Sequence, residues 1–144
     1  MKKLNKSIPQ LFVLAMLILC SITVVSCDKE DLEIQKNFPF ELKILPVPKE
    51  LANGESAEIR ISIQQLGSYN DGSYYLRYFQ FDGKGMLKYP NSPPYKPNDL
   101  YMIPTRDFRL YYTSLSKVSQ SFDIWISDDF GNEKQVSFQF NNAD

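Results

Sequence analysis

The chain has no histidine and only two cysteines in 144 residues. The first absence removes the commonest general acid and base and the most frequent zinc ligand. The second leaves little room for thiol chemistry or a disulfide framework. Glycine is scarce, at six residues, and the pair in FDGKGML is no phosphate-binding fingerprint, which needs a third glycine and a following helix. A hairpin or bulge explains those glycines better. Carboxylates remain, yet Asp128, Asp129, Asn132 and Glu133 do not follow the calcium-loop spacing. Asp and Asn beside Gly131 have a sufficient reason to be there as turn formers. The adjacent Ser116 and Lys117 would point to opposite faces of a strand, so they make no dyad. No catalytic residue, metal ligand or cofactor is expected, and an enzyme is the weakest reading.

Clustered basic charge is missing as well. The formal net charge is -1, but Lys2, Lys3 and Lys6 stand in the first ten residues without an acid to balance them. The rest of the chain is therefore acidic, which disfavours nucleic acid and an anionic membrane surface as partners.

A long hydrophobic run occurs once, near the start. A basic stretch, MKKLNKSIPQ, precedes the apolar LFVLAMLIL and the small, weakly polar SITVVS, the three parts of an export signal over residues 1–26. The apolar stretch 11–25 is interrupted by Ser21 and Thr23 and falls short of the roughly 20 residues that span a bilayer. Cys20 would leave with this segment, so it cannot pair with Cys27 in the mature protein. The sequence Val24-Val25-Ser26-Cys27 resembles the lipobox of bacterial lipoproteins, which implies that Cys27 is lipidated and becomes the new N-terminus. Each buried methylene of such a lipid contributes about 0.8 kcal/mol, and more than one acyl chain gives durable anchoring. Residues 27–37 then read as an acidic tether, which extends at most about 35 Å. Its Lys29-Glu30-Asp31 run resembles the acidic signal that sends Bacteroidota lipoproteins to the cell surface. Outer membrane or cell surface is thus preferred over the inner membrane, which Asp28 directly after the cysteine would favour in enterobacteria.

From residue 38 to 142 the pattern is β. Ala57, Ile59, Ile61 and Ile63 alternate with Glu58, Arg60, Ser62 and Gln64, the period of a half-buried strand. Phe108, Leu110 and Tyr112 repeat it, as do Phe122, Ile124, Ile126 and Val136, Phe138, Phe140. FELKIL, YYLRYFQF and a short MLKY bring the total to about seven strands, separated by turn signals at Asn53-Gly54, Asp71-Gly72, Asp82-Gly83 and Asp128 to Asn132. No segment carries a helical period. The expected fold is all-β, a single immunoglobulin-like β-sandwich behind the lipoprotein signal peptide, with its last two strands forming a hairpin. The segment 82–106, with five prolines and interleaved Tyr89, Tyr95, Leu100, Tyr101 and Met102, is too long for a plain connection and should pack against the domain.

The most informative abundance is aromatic. All nine tyrosines fall between Tyr69 and Tyr112. If Phe122, Ile124 and Ile126 face inward, Trp125 faces outward, beside a neighbouring strand on which Tyr75, Arg77, Phe79 and Phe81 share one face. Tyr75, Arg77, Phe79 and Trp125 form a candidate platform for a protein, peptide or glycan partner, because aromatics and arginine dominate interface hot spots. Alternatively, the segment 82–106 folds over this face and buries it.

Several segments resemble the TraQ family of conjugative-transposon proteins from Bacteroidota. They are NFPFELKILPVPK (37–49), GESAEIR (54–60), RYFQFDGKG (77–85), PNDLY (97–101), FRLYYTS (108–114) and DDFGN (128–132). The resemblance implies a non-enzymatic, lipid-anchored accessory component of a transfer apparatus, the type IV secretion and mating-pair formation machinery. Other conjugation or envelope proteins would be its partners. It carries no site residue. A surface lipoprotein that binds a glycan or peptide through its aromatic face is the alternative. Replacing the anchor residue, Cys27→Ala, should move the protein from the membrane fraction to the soluble fraction and abolish fatty-acid labelling; unchanged labelling would refute lipidation at Cys27.

Overall fold

A computed structural model describes residues 39–67 and 72–144, all within one unit spanning Gln35–Asp144. The signal segment, Cys27 and the tether lie outside the described residues. The expected alternation produces strands. In chain order these are β1 (Phe40–Ile44), β2 (Glu50–Leu51), β3 (Ser56–Gln65), β4 (Tyr74–Asp82), β5 (Gly85–Lys88), β6 (Tyr101–Ile103), β7 (Asp107–Ser114), β8 (Gln120–Asp128) and β9 (Glu133–Asn142). They form a four-stranded sheet, β1-β3-β7-β5, and a five-stranded sheet, β2-β9-β8-β4-β6. No helix occurs among the described residues. The all-β sandwich expected from the sequence is the observed architecture.

Nine strands replace the expected seven. The two additions, β2 and β6, have two and three residues, too few to show an alternating period. Both serve as edges of the five-stranded sheet. The predicted hairpin is present: β8 and β9 pair antiparallel from Ser127↔Glu133 to Gln120↔Phe140.

The side chains explain the register. Ala57, Ile59, Ile61 and Ile63 on β3 are buried, as are Phe108, Leu110 and Tyr112 on β7 and Phe122, Ile124 and Ile126 on β8. Strand β4 carries aromatics at both parities, and the structure settles which face is core: Tyr74, Leu76 and Tyr78 point inward. A β-bulge between Gln80 and Asp82 ends that alternation.

The two sheets are joined through aromatic rings. Tyr112 of the four-stranded sheet stacks on Phe122 of the five-stranded sheet at 4.3 Å between centroids and lies nearly parallel to Phe140 at 5.6 Å. Phe122 stacks in turn on Phe138. Burying such a ring contributes about 1.5–3 kcal/mol relative to leaving it in water, and stacked pairs add about 0.5–1.5 kcal/mol. Antibody domains place a disulfide and a tryptophan at the corresponding position between their sheets. Here the described residues contain no cysteine, and the single tryptophan lies on the outside.

A buried ring with a hydroxyl needs a partner for it. The Tyr112 hydroxyl donates to Gln120 Oε1 at 2.6 Å and accepts from Gln80 Nε2 at 2.7 Å. Gln120 Nε2 continues the chain to Ser114 Oγ, which donates to the Ser116 carbonyl. Four buried or half-buried polar side chains on β4, β7 and β8 are thereby held in one register. Gly85 makes room for the ring, since a Cβ there would land on the Tyr112 hydroxyl.

The segment 82–106 crosses between the sheets twice. It enters the four-stranded sheet as β5, paired with β7, and returns to the five-stranded sheet as β6, paired with β4. On the way Tyr95 N–H donates to Leu87 O, Tyr78 hydroxyl donates to Tyr95 O, and Asn98 N–H donates to Tyr78 O. These bonds fasten it along the side of the sandwich. It closes that side, and its hydrogen bonds do not run across the face bearing Trp125.

Two tests follow from the ring and its hydroxyl. Tyr112→Phe should lower unfolding free energy by about 1–3 kcal/mol, because both glutamines lose a buried partner; Gly85→Ala should cost at least as much by overpacking. Denaturant midpoints of the two variants check this, and unchanged midpoints would contradict the role of the network. Burial also raises the pKa of Tyr78 and Tyr112, and pushes Tyr95 up to about 12. The folded values exceed that of an unfolded chain, about 10. Stability from these groups is therefore complete below about pH 10 and is lost as pH rises toward 12, where the unfolded chain ionises first. A flat stability profile from pH 10 to 12 would contradict the burial of these hydroxyls.

Candidate functional site

The sandwich presents two broad outer faces of opposite character. On the four-stranded sheet the exposed positions are charged. Arg60 and Arg109 stand directly opposite each other and share one carboxylate: Glu58 bonds to Arg60, lies 3.9 Å from Arg109, and accepts from the Tyr111 hydroxyl at 3.2 Å. The Arg60 hydrogen bond holds the Glu58 carboxyl below its ordinary pKa. Ser62 donates to Asp107, and Lys43 borders the same shallow depression of about 380 Å³. Ion pairs this exposed contribute little and are screened by salt. Their arrangement is that of a solvated sheet face.

The residues expected to form a platform lie on the five-stranded sheet. Cross-strand pairing lays its outward residues in rows. Met102, Tyr75, Ser127 and Glu133 form one row, Arg77, Trp125 and Gln135 the next, and Phe79, Asp123 and Ser137 a third. Tyr75, Arg77, Phe79 and Trp125 are thus brought to one face, each half-buried. The Arg77 guanidinium lies 4.5 Å over the Trp125 ring and 3.9 Å from Glu133. This cation–π contact fixes the arginine on the sheet. Phe79 meets Phe81 edge to face at 5.1 Å, and Phe81 is 55% exposed. Asp123 accepts from Gln135 Nε2, which orders the polar margin along β9. An apolar strip along β4 and β6 therefore borders a polar strip along β9.

The sequence reading missed Met102 as a member of this face. It is 65% exposed and sits opposite Tyr75, but a three-residue strand has no pattern to reveal it. It also missed a groove of about 640 Å³ lined by Tyr89, Pro93, Pro94, Tyr95, Tyr101 and Met102 among others. Tyr95 and Tyr101 stack there at 4.1 Å, and Tyr101 accepts the Lys96 N–H. The alternating Pro and Tyr of 89–104 was the available signal, although it specifies packing and not geometry.

The carboxylates at the β8–β9 turn are committed to the backbone. Asp128 Oδ1 accepts from the N–H groups of Phe130 and Asn132, its Oδ2 accepts from Asn132 Nδ2, and Asp129 accepts from Ser73 N–H. Gly131, at φ 87, takes the left-handed position of the turn. No group of three or more acidic residues gathers as a metal site among the described residues.

Comparison with known proteins gives the family. The model of the TraQ conjugal transfer protein matches residues 10–143. A conjugative transposon lipoprotein from Bacteroides eggerthii is 37% identical, with a TM-score of 0.69, over 74% of this chain and 100% of its own. A lipoprotein from Bacteroides thetaiotaomicron is 45% identical, with a TM-score of 0.67, over 78% of this chain and 87% of its own. A conjugate transposon protein from Bacteroides vulgatus is 42% identical, with a TM-score of 0.65, over 78% and 91%. Among curated proteins none matches. With a family match over nearly its whole length and the same sandwich in three solved relatives, the chain belongs to the TraQ conjugal transfer protein family.

Proposed function

We propose that this protein is a non-enzymatic accessory component of a conjugative transfer apparatus, held to the envelope by lipid on Cys27 and acting by contact with other proteins. Family membership supplies the process. The observation that carries the mode of action is the aromatic face, where Arg77 lies over Trp125 beside Tyr75, Phe79 and exposed Phe81 and Met102. Large, ordered aromatic side chains with a fixed arginine are the composition of interface hot spots, and the polar row along β9 would form part of a rim. Two of the relatives are lipoproteins, which supports the reading of Cys27 as the anchor. The Lys29-Glu30-Asp31 run supports the outer membrane or cell surface as the location.

The alternative, a glycan or peptide ligand on the same face, meets one obstacle in its glycan form. Stacking of a sugar on Trp125 requires an open ring face, and Arg77 occupies one. A protein partner can use the arginine where it stands.

In a strain lacking the gene, complementation with Trp125→Ala or Arg77→Ala should lower transfer frequency about tenfold or more, as expected when a hot spot worth about 2 kcal/mol is removed. Tyr111→Ala on the opposite face should leave it unchanged. Full transfer by both aromatic-face variants at normal protein level would sink the proposal. Binding of the unsubstituted protein to a glycan array, lost in the same variants, would favour the alternative.

A further inference from the structure

Sheet edges expose unpaired backbone groups, and proteins generally shorten, cover or interrupt them. Most edges of this fold are treated in that way. Strand β5 has four residues, and the Leu87 carbonyl is taken by Tyr95 N–H at 2.7 Å. Strand β6 has three residues and is followed by Pro104. Strand β1 has five residues and runs into Pro46. Strand β9 differs: it has ten residues, and its outer neighbour β2 pairs only with Asn141 and Asn142. Among the described residues, positions 133–139 have β8 on one side and no strand on the other.

The direction of each backbone group follows from the hydrogen bonds at the end of the strand. Asn141 N–H donates to Lys49 O and Ala143 N–H to Leu51 O, both away from β8. Backbone groups alternate sides along a strand, and the β8–β9 register is unbroken. Glu133, Gln135, Ser137 and Gln139 therefore turn their N–H and C=O groups outward. Their side chains do not block the edge, since Glu133 leans toward Arg77 and Gln135 toward Asp123. The chain's own β2 could have continued backward along β9, but that register would place Pro48 and Pro46 against it. Neither proline has an N–H to give.

We infer that the open stretch of β9 pairs with the same stretch of a second copy, antiparallel about a twofold axis at Val136. In that register Gln135 faces Ser137 of the second copy, Glu133 faces Gln139 and Lys134 faces Phe138, so no like charges meet. The pairing fills positions 133–139 completely, bounded by the β8–β9 turn at one end and β2 at the other. A shift centred on Ser137 would drive Glu133 against Asn141, which β2 already holds. Homodimers with closed twofold symmetry use one patch on both subunits in this way. The result joins two five-stranded sheets into one and sets two Trp125 faces side by side.

Val136 faces itself across the axis in a non-hydrogen-bonded pair, where Cα atoms stand about 4.5 Å apart, within disulfide range. Full-length Val136→Cys, oxidised in intact cells, should yield a reducible dimer of twice the monomer mass. The same oxidation of Gln64→Cys, on the outer face of the other sheet, should give none. Adding Ser137→Pro to Val136→Cys removes an outward N–H from each copy without touching the β8 ladder and should cut the dimer more than tenfold, because the twofold axis doubles the loss to two net hydrogen bonds. Protease resistance of the sandwich should be retained in each variant. Absence of the Val136→Cys dimer in a protease-resistant protein, equal yield from Gln64→Cys, or an adduct with a different chain in its place would each overturn the pairing.

Discussion

The stack of Tyr112 on Phe122 across the two sheets is the contact on which this fold depends. With no cysteine in the domain, nothing covalent fastens the sheets. The rings of β7, β8 and β9 supply the apolar mass, and the Tyr112 hydroxyl supplies direction. Because the Gln120 amide meets that oxygen and Ser114 Oγ, β8 cannot slip by one residue without leaving a buried amide unpaired, a penalty of about 1–3 kcal/mol. A one-residue slip would also turn Tyr75, Arg77, Phe79 and Trp125 inward. The core lock and the outer aromatic face are therefore two consequences of one register.

Much of this was legible in the sequence where alternation was clean. Strands β3, β7, β8 and β9 follow from their apolar parity, and Trp125 was placed outside because Ile124 and Ile126 flank it. Strand β4 was harder, since Tyr74, Tyr75, Tyr78 and Phe79 put rings at both parities. Only tertiary contact decides which of those rings is core, here through Phe40 against Tyr74 and the tie from Tyr78 to Tyr95. The short strands β2 and β6 were illegible for a different reason: two or three residues have no period, and they are strands only because β9 and β4 offer edges.

The segment 82–106 shows how composition can indicate packing without indicating place. Its prolines and tyrosines signalled an ordered segment, and it is one. Whether it lay across the aromatic face or along the side of the sandwich depended on β5 joining one sheet and β6 the other, which no local pattern encodes. Its position along the side leaves the two outer faces distinct, one an exposed lattice of ion pairs and the other an aromatic strip. Of the two, only the aromatic strip combines apolar area with an ordered cation, and a tether of the length read from the sequence would keep it close to the membrane.

If the protein acts as proposed, this strip, and not the charged face, meets the rest of the transfer apparatus. The direct measurement is site-specific photocrosslinking in mating cells, with a photoreactive phenylalanine analogue placed at Tyr75 or at Tyr111. A discrete covalent adduct with another envelope protein encoded by the same element is expected from Tyr75, and none from Tyr111. Adducts from Tyr111 alone would contradict it.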